Sequence, residues 1–409
     1  MKTELDRLMA ERSLDAIVVI IGHDYSPALD YLVGRIHVSR GVALKKQGND
    51  PVIVASPMEV EEAAATGFTV YTDNDLGWSD LLEEAEGDMT QATVALWGRY
   101  LEQIDVSSGK VGLYGVGEFN YILELVTRLN AEYPQYEFVG EMAPTLFEVA
   151  AITKDKEELE RLKSVGKRTG EVQQATWDYI GSHRAEGEIV VKPDGTPLTI
   201  GDIKRFVMRE LLDRNLEDTG MIFAQGRDAG FPHSRGQADM PLKTGRTIVF
   251  DLFPRELMGG YHHDTTRTWC IDYASEEVQQ IYDTVMESFD IAIEAYGLGK
   301  PAHIVQETVQ DYFESKDHPT SRSEPGTEKG YVHSLGHGMG LKVHEYPRLS
   351  HISKNDEFEI GNVFTIEPGL YYPEMGYGVR IEDSFYVAED GSLIDLTDFH
   401  KQLVLPLRG

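Results

Sequence analysis

Cysteine is nearly missing from this chain: one, Cys270, stands among 409 residues. A single thiol can form no internal disulfide and no soft-ligand cluster, so a reducing compartment is expected and any metal would be held by oxygen and nitrogen. In its strand-like setting Cys270 reads as a small buried hydrophobe. Long apolar stretches are also lacking. No run approaches the roughly 18 residues a spanning helix needs, and no charged start precedes an apolar segment. Neither a membrane span nor a signal peptide is therefore expected, and a cytoplasmic location is. Positive charge is scarce, with 38 Lys and Arg against 69 Asp and Glu and a net charge of −31. Phosphate backbones are bound by clustered cations, so nucleic acid is excluded as a partner. The acidity itself suits solubility and names no substrate. Low-complexity tracts and short repeats are absent too.

What is present begins with length, which exceeds one ordinary core and predicts two domains. Leu5, Leu8 and Met9 follow helical spacing, and residues 16–21, 52–55 and 111–114 read as buried strands. Helical stretches lie between them, including one over 120–130, and a short strand is expected at 138–140. This half is expected to be α/β with a mixed or parallel sheet. The boundary falls at 143–156, giving domains of 1–150 and 151–409. A charged run from Lys154 opens a long helix toward Tyr179. Gly187, Pro193, Gly195 and Pro197 make 183–199 a loop or hairpin, and 200–212 is an amphipathic helix.

The last third carries the chemistry. Arg246-Thr-Ile-Val-Phe-Asp251 is an apolar β-branched run ending in a carboxylate, and the Thr-rich segment after Asp264 reads as a neighbouring strand. Glycines flank His337, which lets the backbone approach something closely, a metal or a substrate being the expected neighbour. Glu367 and Glu382 each follow an apolar run, with Pro373 and Gly376 between them, so a hairpin with one carboxylate per arm is expected. A strand-end carboxylate is ordinarily a solvated terminus. Four carboxylates and one imidazole together instead meet the needs of two divalent cations roughly 3.5–4 Å apart, which require bridging carboxylates. Oxygen-rich ligation with one imidazole favours Mn²⁺, with Co²⁺, Zn²⁺ or Fe²⁺ also compatible.

These stretches, in this order, resemble the creatinase/prolidase/methionine aminopeptidase family of pita-bread metallopeptidases, and within it the Xaa-Pro peptidases. The resemblance implies a creatinase-type α/β N-terminal domain, an α+β pita-bread catalytic domain and a homodimer. It implies that Asp251 chelates one metal, that Asp264 and Glu382 bridge both, and that His337 and Glu367 complete the second. A bridging hydroxide would attack the scissile carbonyl while Glu367 carries the proton. His233, His333 and His344 fall where the family keeps substrate-handling imidazoles, and Arg380 and Tyr371 where it orders the site. His262, His263, His351 and His400 read as structural, and Arg267 as an ion-pair partner of a site carboxylate.

One departure is local: Asp251 and Asp264 lie 13 positions apart, where many members have a shorter connection. The implied activity is release of an N-terminal residue preceding proline, from a dipeptide or short peptide. The alternative is a relative that uses the scaffold as a metal-dependent lyase or an amidinohydrolase. The intact five-residue set argues against the amidinohydrolase, since creatinase-like members dispense with metals.

Overall fold

In a computed structural model, which describes residues 4–409, the chain divides into two compact units, Met1–Ala151 and Ile152–Gly409. The first is built on a six-stranded sheet. Ala16–Ile21 pairs antiparallel with Gly41–Lys46 and parallel with Gly109–Gly115, so the sheet is mixed. Ala16, Val18, Val54 and Val111 bury completely against Trp97, Leu101 and Leu129 of the covering helices. The short strand observed is Tyr136–Val139 and the helix before it Phe119–Glu132.

The second unit opens with the long helix Lys156–Gly181, started by an Asp155 and Glu158 capping box. Residues 183–199 form the two-stranded ribbon Arg184–Glu186 and Ile189–Val191, followed by the helix Ile200–Asp213. Two sheets then carry the site. In the first, Thr247–Leu252 lies antiparallel between Ile222–Gln225 and Thr265–Ile271, with Asp251 opposite Thr266. Its far face is aromatic: Trp269 meets Phe250 at 5.2 Å and, edge-on, Trp177 of the long helix at 5.5 Å. Such pairs add about 0.5–1.5 kcal/mol each beyond area burial. Cys270 is fully buried in this sheet.

The second sheet orders Glu345–Leu349, Gly336–Gly338, Val363–Ile366, Asp383–Val387 and Leu393–Asp395. Helices Glu276–Ala295 and His303–Ser315 cover it through Val285, Phe289, Val309 and Phe313, which pack with Phe364 and Phe385.

Candidate metal centre

Each of the five residues is delivered by a different piece of backbone. Asp251 is the fifth residue of its strand, and Asp264 immediately precedes Thr265–Ile271. Glu367 and Glu382 do not stand within hairpin arms. The hairpin forms, but it is broken twice: Val363–Ile366 pairs with Asp383–Val387, and Gly369–Tyr372 pairs separately with Tyr377–Arg380. The two glutamates occupy the breaks. Their backbones are pinned to different partners, the Glu367 N–H donating to the Leu335 carbonyl at 2.8 Å and the Glu382 N–H to the Thr266 carbonyl at 3.1 Å. Glu382 thus reaches from the second sheet to the first.

The glycines around His337 serve a different purpose from the one expected. A methyl on Gly336 would stand 2.0 Å from the Thr365 carbonyl oxygen, and one on Gly338 2.1 Å from that of Tyr346. They admit neighbouring strands, and close strand packing is what aims His337. Its Nδ1 bonds the Gly338 carbonyl at 3.1 Å. The donor in that bond is Nδ1–H, so Nε2 keeps a free lone pair. That atom lies 3.5 Å from Glu367 Oε1 and 3.7 Å from Asp264 Oδ2. Ligand atoms of Asp264, His337 and Glu382 all fall within 4.8 Å of one another.

Arg380 organises the remainder. Its guanidinium donates to Asp251 Oδ2 at 2.5 Å, to the Tyr371 hydroxyl at 2.9 Å, to the Pro232 carbonyl at 3.2 Å and to Thr266 Oγ1 at 3.0 Å. Thr266 in turn donates to Glu382 Oε2 at 2.7 Å. Tyr371 lies 2.9 Å from His333 Nε2, while His333 Nδ1 bonds the Ser334 carbonyl at 2.7 Å. With Nδ1 the donor, His333 Nε2 accepts from the tyrosine, whose oxygen accepts from Arg380. Donors therefore run two ways from Arg380, to Asp251 on one side and through Tyr371 to His333 on the other.

His233 and His344 are exposed on the wall of the same cavity, about 650 Å³, and His344 sits edge-on to His337 at 4.3 Å. Apart from Tyr371, every residue singled out for metal or substrate lines this cavity, and Tyr371 touches it through Arg380 and His333. Three contributors went unread in the sequence. Thr266 lies two positions beyond Asp264, so strand alternation turns both toward the site, a signal that was available. Glu345 is buried and paired with Lys154 at 2.7 Å. Lys154 and Glu345 are 191 positions apart, and nothing local joins them. Arg267 pairs with Asp383 at 2.8 Å rather than with a candidate ligand, and its guanidinium also donates to the Glu382 carbonyl at 2.7 Å.

The description "Metallopeptidase family M24" matches residues 160–389, more than half of the chain. The chain belongs to that family. Among relatives of this M24 metallopeptidase, the Xaa-Pro dipeptidase of Pyrococcus furiosus is 26% identical over 84% of this chain and 92% of its own. The fold matches that of a dipeptidase from Pyrococcus horikoshii, with a TM-score of 0.74, 23% identity and full coverage of both chains. An X-Pro aminopeptidase from Thermotoga maritima gives a TM-score of 0.75 at 20% identity, covering 99% of this chain and 100% of its own. The catalytic unit of the M24 metallopeptidase accordingly has the pita-bread fold.

The family implies divalent metal ions, and the residues fit them. Asp251 Oδ1 and Asp264 Oδ1 are buried without any hydrogen-bond partner among the described residues. Burial, then the facing charges of Asp251 and Glu367, holds the Asp264 carboxyl far above its ordinary range. Glu382 is raised in the same way by burial and by Asp264, and burial chiefly lifts Glu367 to about 8. Burial holds His337 down at about 3, keeping the ring neutral. Crowded carboxylates beside an unprotonated imidazole nitrogen make a pocket short of positive charge, as a hard divalent cation requires.

Proposed function

We propose that this metallopeptidase cleaves the N-terminal Xaa-Pro bond of dipeptides or short peptides. The observation that carries the reading is a single cavity holding the carboxylate cluster beside His233, His333 and His344, in a chain related over most of its length to an Xaa-Pro dipeptidase. Two divalent ions, Mn²⁺ by the oxygen-rich donor set, would be held by Asp251, Asp264, His337, Glu367 and Glu382, with Asp264 and Glu382 shared. When bound, they supply a Lewis acid for the scissile carbonyl and an acidified water as nucleophile.

The chain's own groups do the rest. Glu367 would hold a proton released on attack and pass it to the departing proline nitrogen. His233 and His344 reach in from the wall to donate to oxygen or nitrogen at the scissile bond, while Arg380 and Tyr371 keep Asp251 and His333 in place. A prolyl nitrogen has no N–H to be recognised, so the ring must be read by shape. Ile222, Pro232, Phe253 and Val343 give the cavity an apolar wall for it.

The unit before residue 151 is assigned as a creatinase-type domain, and the assembly as a homodimer. Phe119, Tyr121 and Leu123, exposed along one helix, offer apolar surface for a second copy to cover. A cytoplasmic location is supported by the lone buried thiol, and no helix is long and apolar enough to cross a membrane among the described residues.

The test is hydrolysis of Ala-Pro, Met-Pro, Ala-Pro-Ala and Ala-Ala-Ala by protein stripped with chelator and reloaded with Mn²⁺. Cleavage of only the Xaa-Pro bonds, restored by metal and reduced about 10²–10⁴-fold by Glu367→Gln, is expected. The ratio of dipeptide to tripeptide turnover assigns the subclass. Silence across the set by metal-loaded protein would overturn the reading in favour of lyase or amidine chemistry.

A further inference from the structure

The cavity wall bears more charge than the metal centre uses. Four of its five carboxylates belong to that centre, and the fifth, Glu345, is neutralised by Lys154 at 2.7 Å. Of its three guanidiniums, Arg380 is bound to Asp251. That leaves Arg235 and Arg348. Both are exposed, and among the described residues neither has a carboxylate oxygen within 4.0 Å of its guanidinium, in a chain with 69 acidic residues.

Each is supported without being neutralised. Arg235 lies over Gly220, where a methyl would stand 3.0 Å from its Nη2, and its carbonyl accepts from Lys204 Nζ at 2.5 Å. Arg348 lies 4.6 Å over the Tyr346 ring, a cation–π contact that supports the guanidinium without cancelling its charge. Two planar forks free at the rim of a substrate cavity match carboxylates presented from outside. An exopeptidase that removes the first residue keeps that residue at the deep end, so the rest of the peptide passes the exposed rim.

We propose that Arg235 and Arg348 make this pocket selective for peptides whose residue after proline is acidic. This rests on the Xaa-Pro reading above. One fork binds the α-carboxylate and the other the side-chain carboxylate of a third residue such as Glu or Asp. Dianionic peptides would then be favoured, despite the chain's negative net charge, because the rim presents local positive charge.

The experiment compares Ala-Pro-Glu, Ala-Pro-Gln and Ala-Pro-Lys with metal-loaded protein at low and high salt, and titrates the products Pro-Glu and Pro-Lys calorimetrically. We expect kcat/KM to fall in the order Glu, Gln, Lys, with about tenfold between the extremes at low salt and less at high salt. Pro-Glu should bind more tightly than Pro-Lys. In Arg235→Gln/Arg348→Gln the Glu-to-Lys ratio should collapse toward one, while Arg235→Lys/Arg348→Lys should retain part of it. Because the readout is a ratio, a general loss of activity does not imitate the effect. Equal rates for the three tripeptides, or refusal of all three while Ala-Pro is cut, would overturn the proposal and leave the Xaa-Pro reading standing. If Ala-Pro is not cut either, both fall together.

Discussion

Arg380 shows how much a single side chain can decide. Its guanidinium serves four partners at once, which only a planar fork with several donors can do. Arg380→Lys keeps the charge and loses the fork, so Asp251 and Tyr371 cannot both be held. We expect kcat/KM to fall by about 10²-fold, corresponding to the loss of one or two charge-assisted bonds of about 1.5–3 kcal/mol. Steady-state kinetics beside a metal titration will check this, and an unchanged kcat/KM would contradict it. Arg380 was legible in the sequence only through resemblance. Its role depends on Thr266, Tyr371 and Pro232, which arrive from separate segments.

At the scale of elements, strands were legible and junctions were not. The run ending at Asp251 could be read because β-branched side chains declare a buried strand. The breaks that carry Glu367 and Glu382 went unread: Pro368 and Gly369 mark the first, while nothing beside Glu382 shows that the pairing changes partner there. Gly336 and Gly338 were legible as close approaches, and what approaches them is backbone. Gly336→Ala should therefore cost about 1–3 kcal/mol by overpacking and displace His337, lowering both Tm and bound metal. A variant with native Tm and full metal content would refute that account. The buried Lys154–Glu345 pair makes a different prediction, because each charge compensates the other. Lys154→Met should destabilise by about 3–5 kcal/mol, and Lys154→Met/Glu345→Met by distinctly less than the sum of the single changes. A denaturant double-mutant cycle measures the coupling, and additivity would show the pair to be incidental.

For the whole molecule, length indicated the two units, whereas the pairing of distant strands had to be seen. Folding here gathers carboxylates that water would otherwise keep apart. In the metal-free protein Glu367 titrates near 8, and Asp264 and Glu382 are held well above their ordinary range. Above about pH 6.5, where buried histidines such as His337 carry no proton in either state, the folded state binds more protons than the unfolded chain, so stability falls as pH rises from about 6.5 to 8. Metal replaces those protons and should remove this slope. Melting curves of stripped and reloaded protein from pH 6.5 to 8 test the sign: Tm of the stripped form should drop with pH, and the gain on adding Mn²⁺ should grow. A stripped form that becomes more stable toward pH 8 would count against the electrostatic account.

Glu382 comes last in chain order among the five residues proposed to hold metal, and its backbone ties one sheet to the other. During synthesis, four of these five residues emerge before Glu382 does. A nascent chain would therefore hold an incomplete chelator until the segment bearing Glu382 is made. On the proposed ligand set, the choice of ion would then fall to the folded protein, where geometry as well as affinity governs which ion stays.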